Sequence, residues 1–450
     1  MKKISTTLIL FGGTGDLASR KLLPALSDLF NKKALPENFK IVGFSRKDLG
    51  DDGYKKYVKE HVEGVSDDFL NIISYCQGDI MQSESYKKLS DFLYNQDGKE
   101  CSNKLYYLAV PPSLYHDVFN RLSKSGLTLP CRSDDKGNEW TRILVEKPFG
   151  FNRDEAMKLD ELLGTLFQED QVYRIDHYLG KETIQNILTF RFSNSIFEPM
   201  WNKENVDRVE IKMYESLTVS TRGAFYDSIG ALRDVGQNHV LQMLAFIAME
   251  DPVNLKQDLI RKSREELLNS VSISDEVSRG QYIGYKNVEG VKEDSDTETY
   301  FKIKVKVDNE RWKGVPFILE SGKGLPEKKT EVNIYFKEGI NCMSPKVKKN
   351  HQNVLTFKIQ PEEGISLKFW VKKPGFTFEI EEKELSFNYN LDKTIPSAYE
   401  RVLYDAIIGD QTLFTSTKEV MAEWNIIMPI LNNWKNSKLI EYKTGEFPEL

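Results

Sequence analysis

The chain has 450 residues, of which 40% are hydrophobic and 29% are charged, with a formal net charge of −6. This length exceeds one typical hydrophobic core, so two globular domains are predicted. The charge balance does not indicate nucleic-acid binding, and no apolar stretch is long enough to span a bilayer. The cysteines are far apart and lack zinc-ligand spacing, which predicts a reduced compartment and no metal site. They are Cys76, Cys101, Cys131 and Cys342.

The chain opens with a short apolar run, residues 6–11, followed by the sequence GGTGDLA over residues 12–18. A buried strand, a glycine turn and a helix start form the dinucleotide-binding arrangement of a parallel sheet. The glycines let backbone amides approach a pyrophosphate, and the helix N-terminus favours its charge. A glycine-rich turn that binds no ligand is the alternative interpretation.

A second predicted strand, residues 39–44, is followed by the basic pair Arg46 and Lys47. An NAD-binding site usually has an acidic residue here, whereas basic residues favour the 2′-phosphate of NADP. Arg46 is given the larger role because a guanidinium can bind phosphate bidentately. Two solvated surface charges are the alternative, and the nearby Asp48 leaves NAD as a weaker cofactor.

Two further apolar runs, residues 105–110 and 142–145, predict strands of the same sheet. The second run leads into EKPFG over residues 146–150, which places Lys147 at the carboxyl end of a strand. Ligands gather at that edge of a doubly wound sheet, so Lys147 is a candidate binding residue. The alternative is an ordinary surface turn.

The most informative stretch is YRIDHYLGKE over residues 173–182. Apolar residues at 184, 187 and 188 have helical spacing, which predicts a helix with Asp176 as its N-cap. On such a helix His177 and Lys181 share a face, and with Tyr178 they would suit a phosphate group. A capped helix with a charged first turn is the alternative.

From about residue 204 apolar and polar residues alternate, as in residues 209–213 and 301–307, which predicts a mostly antiparallel sheet. The predicted fold is therefore α/β plus α+β. A Rossmann-type dinucleotide-binding domain would span residues 1–176, and a substrate-binding and dimerisation domain residues 177–450. A helix over 229–250 carries His239 on its apolar face, where a satisfied core histidine is the more common interpretation.

These motifs closely resemble the glucose-6-phosphate dehydrogenase family, and RDVGQNH over 233–239, IQPEEG over 359–364 and PSAYER over 396–401 extend the resemblance. The resemblance implies oxidation of glucose 6-phosphate at C1 to 6-phosphogluconolactone, with hydride transfer to NADP, as the first step of the oxidative pentose phosphate pathway. It implies that His239 is the catalytic base and that Asp176 orients it.

Two sets of binding residues follow, in which the resemblance alone implies the roles of Tyr115, Glu215, Asp234, Lys323 and Lys328. The cofactor-binding set is Gly12, Gly13, Thr14, Gly15, Asp16, Leu17, Arg46, Tyr115 and Lys147. The substrate-binding set is Lys147, His177, Tyr178, Lys181, Glu215, Asp234, Lys323 and Lys328.

The resemblance also implies a cytoplasmic homo-oligomer, either a dimer or a dimer of dimers. Glu320 stands where many members carry arginine, which argues against a second, structural NADP. The alternatives are another sugar oxidoreductase and a non-catalytic dinucleotide sensor. A sensor has no need for His239, Asp176 and several phosphate-binding groups together, so the enzyme is favoured.

Overall fold

The structure is a computed structural model that describes residues 5–97, 101–129, 139–339, 351–389, 395–434 and 437–449. Cys131 and Cys342 lie outside these residues. Within the described ranges, no helix combines the length and apolar character needed to cross a membrane. Cys76 is a buried free thiol, and burial raises its pKa to about 11. Cys101 takes part in a disulfide, unlike the predicted reduced state, because spacing along the chain does not report which thiols meet in space.

Sixteen strands occur in the described ranges. They are β1 Ser5–Phe11, β2 Phe39–Ser45, β3 Ile73–Gln77, β4 Ser102–Leu108, β5 Thr141–Glu146, β6 Val172–Ile175, β7 Val206–Tyr214, β8 Val271–Tyr282, β9 Tyr300–Val307, β10 Phe317–Gly322, β11 Lys329–Phe336, β12 Val354–Gln360, β13 Gly364–Lys372, β14 Ile380–Asn388, β15 Phe414–Thr415 and β16 Leu439–Tyr442.

Twelve α-helices occur in the same ranges. They are α1 Leu23–Asn31, α2 Gly50–His61, α3 Asp67–Asn71, α4 Ser83–Asp97, α5 Tyr115–Lys124, α6 Arg153–Leu166, α7 Glu182–Phe192, α8 Gly223–Asp227, α9 Leu241–Ala248, α10 Gln257–Asn269, α11 Ala398–Ile408 and α12 Thr417–Trp434. Two π-helical segments, Ala18–Leu22 and Leu232–Val240, lead directly into α1 and α9.

The chain forms two compact units, and the first comprises Met1–Gly180 and Pro396–Thr417. Its sheet has the order β15-β6-β5-β4-β1-β2-β3, and every pair is parallel except β15 with β6. The apolar strand β1 lies in the interior, with Leu8, Ile9 and Leu10 fully buried. A strand that is covered on both faces reads as a continuous apolar run, which is the pattern the sequence shows. The predicted parallel, Rossmann-type sheet is confirmed.

The C-terminal piece of the first unit is part of its hydrophobic core. Val402 and Leu403 of α11 belong to the same buried cluster as Leu22 and Leu26. Phe414 of β15 is also in this cluster. This piece adds an antiparallel edge strand and a helix to the nucleotide-binding fold.

The second unit comprises Lys181–Ile395 and Lys418–Leu450. Its nine-stranded sheet has the order β14-β13-β12-β11-β7-β10-β9-β8-β16. The predicted mostly antiparallel sheet is confirmed, although β7 with β10 and β8 with β16 run parallel. The parallel pair of β7 and β10 brings the carboxyl ends of two strands to the same edge of the sheet.

The observed division differs in two ways from the predicted break after residue 176. The first unit continues to Gly180, and residues 396–417 belong to it although the sequence analysis assigned them to the second domain. A break of this kind depends on where a distant segment packs, and local periodicity carries no such information.

Candidate functional site

The nucleotide loop of the first unit follows β1 and is tightly folded. Gly15 donates its amide hydrogen to the Gly12 carbonyl at 2.8 Å, and helical conformation begins at Asp16. The hydroxyl groups of two tyrosines of α2 hold the loop from outside. Tyr54 donates to the Gly13 carbonyl at 2.9 Å, and Tyr57 donates to the Thr14 carbonyl at 3.0 Å. The loop is therefore preorganised by the protein itself.

The glycines of this loop meet the steric demands of a dinucleotide site. Gly12 has φ +81°, and a Cβ atom there would lie 2.5 Å from the carbonyl oxygen of Ala109. A Cβ at Gly13 would lie 2.9 Å from Cα of Gly43. The loop backbone therefore lies too close to neighbouring backbone atoms for any side chain at these glycines. The helix N-terminus that follows the loop suits a pyrophosphate. The residues present fit a dinucleotide, with Thr14, Asp16 and Leu17 in the same turn.

Arg46 and Lys47 follow β2 but have different surroundings. Arg46 is exposed and lines a cavity of about 340 Å³ together with Gly78, Asp79 and Lys88. The ammonium group of Lys47 instead lies 5.2 Å from the ring centroid of Tyr57, within cation–π range. The two basic residues are therefore not equivalent, and Arg46 is the one that faces a cavity at the carboxyl ends of β2 and β3.

Tyr115 and Lys147 occupy different environments beside β5. Tyr115 is fully buried, and its hydroxyl group donates to the backbone carbonyl of Glu146 at 3.0 Å. This bond supports the end of β5, and the contact of Tyr115 with a dinucleotide that the resemblance implies stays a prediction. Lys147 comes directly after this supported strand end and is half-buried.

The predicted helix starting at Asp176 is wrong. Residues 177–180 form a turn, and α7 begins only at Glu182 with Lys181 as its N-cap. Asp176 is 2% exposed and accepts the backbone amide hydrogen of Tyr178 at 2.9 Å, so it caps a turn. His177 and Lys181 therefore do not share a helix face. An Asp side chain can accept a backbone amide hydrogen either in a turn or at a helix N-cap, and residue spacing alone does not distinguish the two structures.

Lys181 belongs to the second unit, where it has a carboxylate partner that the sequence analysis did not single out. Its ammonium group lies 3.0 Å from Oε1 of Glu363, and Oε2 of the same carboxylate accepts the amide hydrogen of Thr183 at 3.2 Å. Glu363 lies in the turn between β12 and β13. Glu363 belongs to the IQPEEG run, which resembles the family, but the sequence analysis gave this residue no role.

A compact charged group forms at the carboxyl ends of the parallel strands β7 and β10. Glu215 follows β7, Lys323 follows β10, and their side chains meet with Nζ to Oε2 at 2.6 Å. Lys323 is 9% exposed and also lies 3.7 Å from Oδ2 of Asp234. Its ammonium group is 5.1 Å from the Tyr226 ring centroid. The structure thus brings together three of the predicted substrate-binding residues.

Two other charged residues near these strands, Lys328 and Glu320, lie outside this group. Lys328 is exposed in the turn before β11 and is outside the contacts described for Lys323. Glu320 is buried and accepts the Tyr300 hydroxyl at 2.7 Å. It lines a cleft of about 600 Å³ that also includes Lys329 and Phe447.

His239 lies on the π-helical segment before α9 and is 1% exposed. The predicted helix is present here as this π-helical segment and α9, and His239 is buried together with the apolar residues predicted to share its face. Gly236 allows this segment to pack closely, because a Cβ there would lie 2.6 Å from Leu232 Cδ1 and 3.1 Å from the Phe301 ring. π-Helical turns occur frequently at functional sites, so the position of His239 on this segment is consistent with a functional role.

Buried amide groups anchor the π-helical segment. Gln237 and Gln242 each donate an amide hydrogen to one oxygen of Glu423, at 3.0 and 2.6 Å. Asn238 donates to the Asp234 carbonyl at 3.1 Å. Glu423 lies on α12, far away in sequence, so sequence patterns offered no signal for this anchor.

The fold and these residues define a dinucleotide-dependent dehydrogenase. A glycine loop follows the first strand of a parallel sheet, and a separate unit presents a buried histidine and a carboxylate–ammonium group. Sugar-oxidising dehydrogenases need both a dinucleotide fold and proton-accepting and hydroxyl-binding groups.

The chain belongs to the glucose-6-phosphate dehydrogenase family. Residues 9–186 match the family model "Glucose-6-phosphate dehydrogenase, NAD binding domain", and residues 188–448 match the model of its C-terminal domain. A glucose-6-phosphate 1-dehydrogenase from Borreliella burgdorferi is 39% identical, over 97% of this chain and 94% of the relative. The Caenorhabditis elegans enzyme is 38% identical, over 97% of this chain and 88% of the relative.

Solved structures agree with this membership. A glucose-6-phosphate dehydrogenase in complex with its substrate glucose 6-phosphate has a TM-score of 0.89 and 35% identity, covering 99% of this chain and 95% of that chain. The glucose-6-phosphate 1-dehydrogenase of Mycobacterium avium has a TM-score of 0.86 and 32% identity, with the same coverage of 99% and 95%.

Proposed function

We propose that this protein oxidises glucose 6-phosphate at C1 to 6-phosphogluconolactone, the first step of the oxidative pentose phosphate pathway. The observation that carries the proposal is the match of residues 9–186 and 188–448 to the two domains of one enzyme family. A dinucleotide bound at the glycine loop would supply the hydride acceptor. The remaining chemistry, removal of the C1 hydroxyl proton and positioning of the sugar, belongs to side chains of the chain.

We propose His239 as the base that accepts this proton. Its imidazole is buried, and the segment that carries it is anchored to Glu423 by Gln237 and, from the adjoining α9, by Gln242, so the backbone around the ring is fixed before the substrate binds. A base with a fixed orientation loses little freedom at the reaction step. The family resemblance assigns Asp176 to orient this base and stabilise its protonated form, as a carboxylate does in other catalytic pairs.

We propose that the remaining candidates bind the sugar phosphate. His177, Tyr178 and Lys181 would bind the phosphate, and Glu215, Asp234 and Lys323 would bind the hydroxyl groups and the phosphate. Carboxylates accept hydrogen bonds from sugar hydroxyls, and ammonium groups attract phosphate. Lys147 would lie beside the reacting end, and Lys328 would contribute at the phosphate side. Binding energy from the remote phosphate would position C1 for reaction.

The direct test is an absorbance assay of purified protein with glucose 6-phosphate and NADP. Production of reduced nicotinamide that depends on both compounds supports the proposal. Free glucose serves as the comparison, since an enzyme that uses the phosphate for positioning should oxidise glucose far more slowly. A dinucleotide sensor would give no reduction with either sugar, and another sugar oxidoreductase would not require the phosphate.

We propose NADP as the preferred cofactor and NAD as a weaker one. The support is the environment of Arg46, which lines a cavity beyond the carboxyl ends of β2 and β3, where the adenosine ribose lies in dinucleotide-binding folds. Glu320 argues against a second NADP at the cleft that it lines. Its carboxylate is held by Tyr300, and a buried negative charge opposes a polyphosphate.

The Arg46→Ala variant is expected to raise KM for NADP by about ten- to a hundredfold and to leave KM for NAD nearly unchanged. One charge-assisted hydrogen bond, typically about 1.5–3 kcal/mol, accounts for that range. Added salt should reduce the NADP preference of the unmodified enzyme, because the attraction is partly exposed to water. The measurement is kcat/KM with both cofactors at low and high salt.

Lys47→Ala is the matched control for Arg46, since it removes a positive charge from the neighbouring position. Its ammonium group lies over Tyr57 rather than in the cavity, so the cofactor preference should change by only about twofold. Parallel losses with NADP and NAD in Arg46→Ala, or an equal effect in both variants, would contradict recognition of the 2′-phosphate by Arg46.

We propose that the protein is a homo-oligomer in which a second copy covers part of the sheet of the second unit. β14 is the terminal strand in the sheet order, and Leu385 and Phe387 on it are 62% and 59% exposed. Apolar side chains on an exposed edge strand require a cover. Sedimentation should give a dimer or a dimer of dimers, and a Leu385→Glu, Phe387→Glu variant should be smaller. An unchanged mass would remove this surface from the interface.

We also propose a cytoplasmic location. The support is a relative from Arabidopsis thaliana named as a cytoplasmic enzyme, which is 38% identical over 98% of this chain and 89% of the relative. Cell fractionation with an assay for glucose 6-phosphate oxidation measures this directly. Activity confined to a secreted or membrane fraction would contradict the proposal.

A further inference from the structure

An aromatic side chain from a distant part of the sequence reaches the turn after β6. Tyr399 lies on the first turn of α11, and its ring is nearly parallel to that of His177, with centroids 5.8 Å apart and an angle of 10° between the planes. Such an offset-stacked arrangement is favourable for two rings. Both residues belong to the first unit. Tyr399 therefore forms one wall of the environment of His177.

The other end of Tyr399 is fixed by Glu146, the last residue of β5. The Tyr399 hydroxyl lies beside the Glu146 carboxylate, which accepts the hydroxyl hydrogen of the buried Tyr107 at 2.5 Å. An ionised carboxylate is an acceptor only and has room for both donors. Hydrogen bonds to a charged acceptor are among the stronger ones. Glu146 thus fixes the position of the ring that stacks on His177.

The start of α11 is itself firmly attached to the first unit. Ser397 and Glu400 form a capping box, and Glu400 pairs with Lys32 at 2.5 Å. Gly180 packs against this helix start so closely that a Cβ atom would lie 2.6 Å from the carbonyl oxygen of Ala398. The turn that carries His177 is therefore braced by α11 both at Gly180 and at Tyr399.

We propose that Glu146 and Tyr399 are positioning residues that hold the His177 imidazole in the orientation needed to receive the phosphate of glucose 6-phosphate. The inference rests on the proposed role of His177 in phosphate binding. It gives a role to Glu146 of the EKPFG run and to Tyr399 of the PSAYER run, to which the proposed function assigns none. Neither residue is required to touch the sugar.

This arrangement carries a pH dependence of definite sign. Burial raises the pKa of the Glu146 carboxyl to about 7, with hydrogen bonds from Tyr107 and Tyr399 acting in the opposite direction. Above that pH both oxygens accept hydrogen bonds. As the pH falls through 7 one oxygen gains a proton, and one tyrosine hydroxyl loses its acceptor, so the hold on Tyr399 weakens. The ionisable groups facing Glu146 are Tyr107 of β4, Tyr115 of α5, Lys147, Asp176 and Tyr399.

The experiment compares Tyr399→Phe and Glu146→Gln with the unmodified full chain. Each variant should raise KM for glucose 6-phosphate by about two- to tenfold at about pH 8, the range expected for losing one hydrogen bond. KM for NADP and kcat should stay within about twofold, because only phosphate recognition depends on His177. The variant-to-parent ratio of KM should fall toward one at about pH 6, where Glu146 of the parent is protonated as well.

Tyr404→Phe on the same helix is the matched control, and it should leave both the KM and its pH profile unchanged. The ratio of KM values cancels the ionisation of the sugar phosphate, which is common to all proteins compared. A KM ratio near one at every pH, or an equal loss in kcat and in KM for NADP, would overturn the positioning role. A His177→Ala variant with unchanged KM for glucose 6-phosphate would instead refute the phosphate site on which the inference rests.

Tyr399→Leu supplies a second route if one variant is unstable, because it removes both the ring and the hydroxyl group. Its KM for glucose 6-phosphate should exceed that of Tyr399→Phe, which keeps the stacked ring. Thermal unfolding identifies a variant that has simply lost its fold. A smaller effect for the leucine variant than for phenylalanine would also contradict the proposal.

Discussion

Replacing His239 by asparagine is expected to lower kcat by about a hundred- to ten-thousandfold, the usual contribution of a general base. Asparagine is polar and smaller than the imidazole, so the buried π-helical segment should remain intact while the proton acceptor is lost. KM for glucose 6-phosphate should change little, because the proton transfer belongs to the transition state and not to sugar binding. The measurement is steady-state kinetics over a range of pH.

His116→Asn is the matched control for this change. His116 is exposed on α5 in the first unit, so the same substitution there should leave kcat within about twofold of the unmodified enzyme. If His239→Asn keeps its kcat, another residue accepts the proton. If it loses kcat and KM together with a large drop in thermal stability, the histidine is a core residue, which is the interpretation that spacing alone favours.

Replacing Lys323 by methionine is expected to raise KM for glucose 6-phosphate by about ten- to a hundredfold. The ammonium group lies at 2.6 Å from Glu215 and 3.7 Å from Asp234, so the change removes one charged contact and leaves two carboxylates facing each other. Methionine preserves much of the side-chain length. The two carboxylates would repel the phosphate that the lysine attracts. KM for NADP should stay nearly constant.

Lys306→Met provides the comparison, because Lys306 is an exposed lysine on β9 of the same sheet. This variant should resemble the unmodified enzyme in both KM values. Kinetics with free glucose adds a further distinction. A loss with glucose 6-phosphate alone indicates contact with the phosphate, and a similar loss with glucose indicates contact with the hydroxyl groups. An unchanged KM for both sugars would remove Lys323 from the binding site.

Local sequence patterns were sufficient to predict those features that depend only on neighbouring residues. The glycine loop, the buried strand before it and the alternating strands of the second unit were all predicted from patterns within short windows, and the structure has them. Strand and helix periods and the steric need for glycine are properties of neighbouring residues. For the same reason the sequence could place Arg46 directly after a strand of the nucleotide-binding sheet.

The incorrect helix start at Asp176 shows where local information ends. The same Asp, followed by helical spacing, fits either an N-cap or a turn, and the choice follows from contacts with residues far away. Gly180 meets Ala398, and His177 meets Tyr399, more than two hundred residues later in the chain. The preference of a short segment is weak, and tertiary packing overrides it.

The sequence alone determined the class of the protein, the family that it resembles and the types of side chain available for the reaction. Only the tertiary structure decided that residues 396–417 complete the first unit, that Lys323 meets Glu215, and that Glu363 faces Lys181. Periodicity and motif spacing record what adjacent residues need. The partner of a charged side chain depends instead on strand order and on the path of the chain, which bring together residues that are separated by more than a hundred positions.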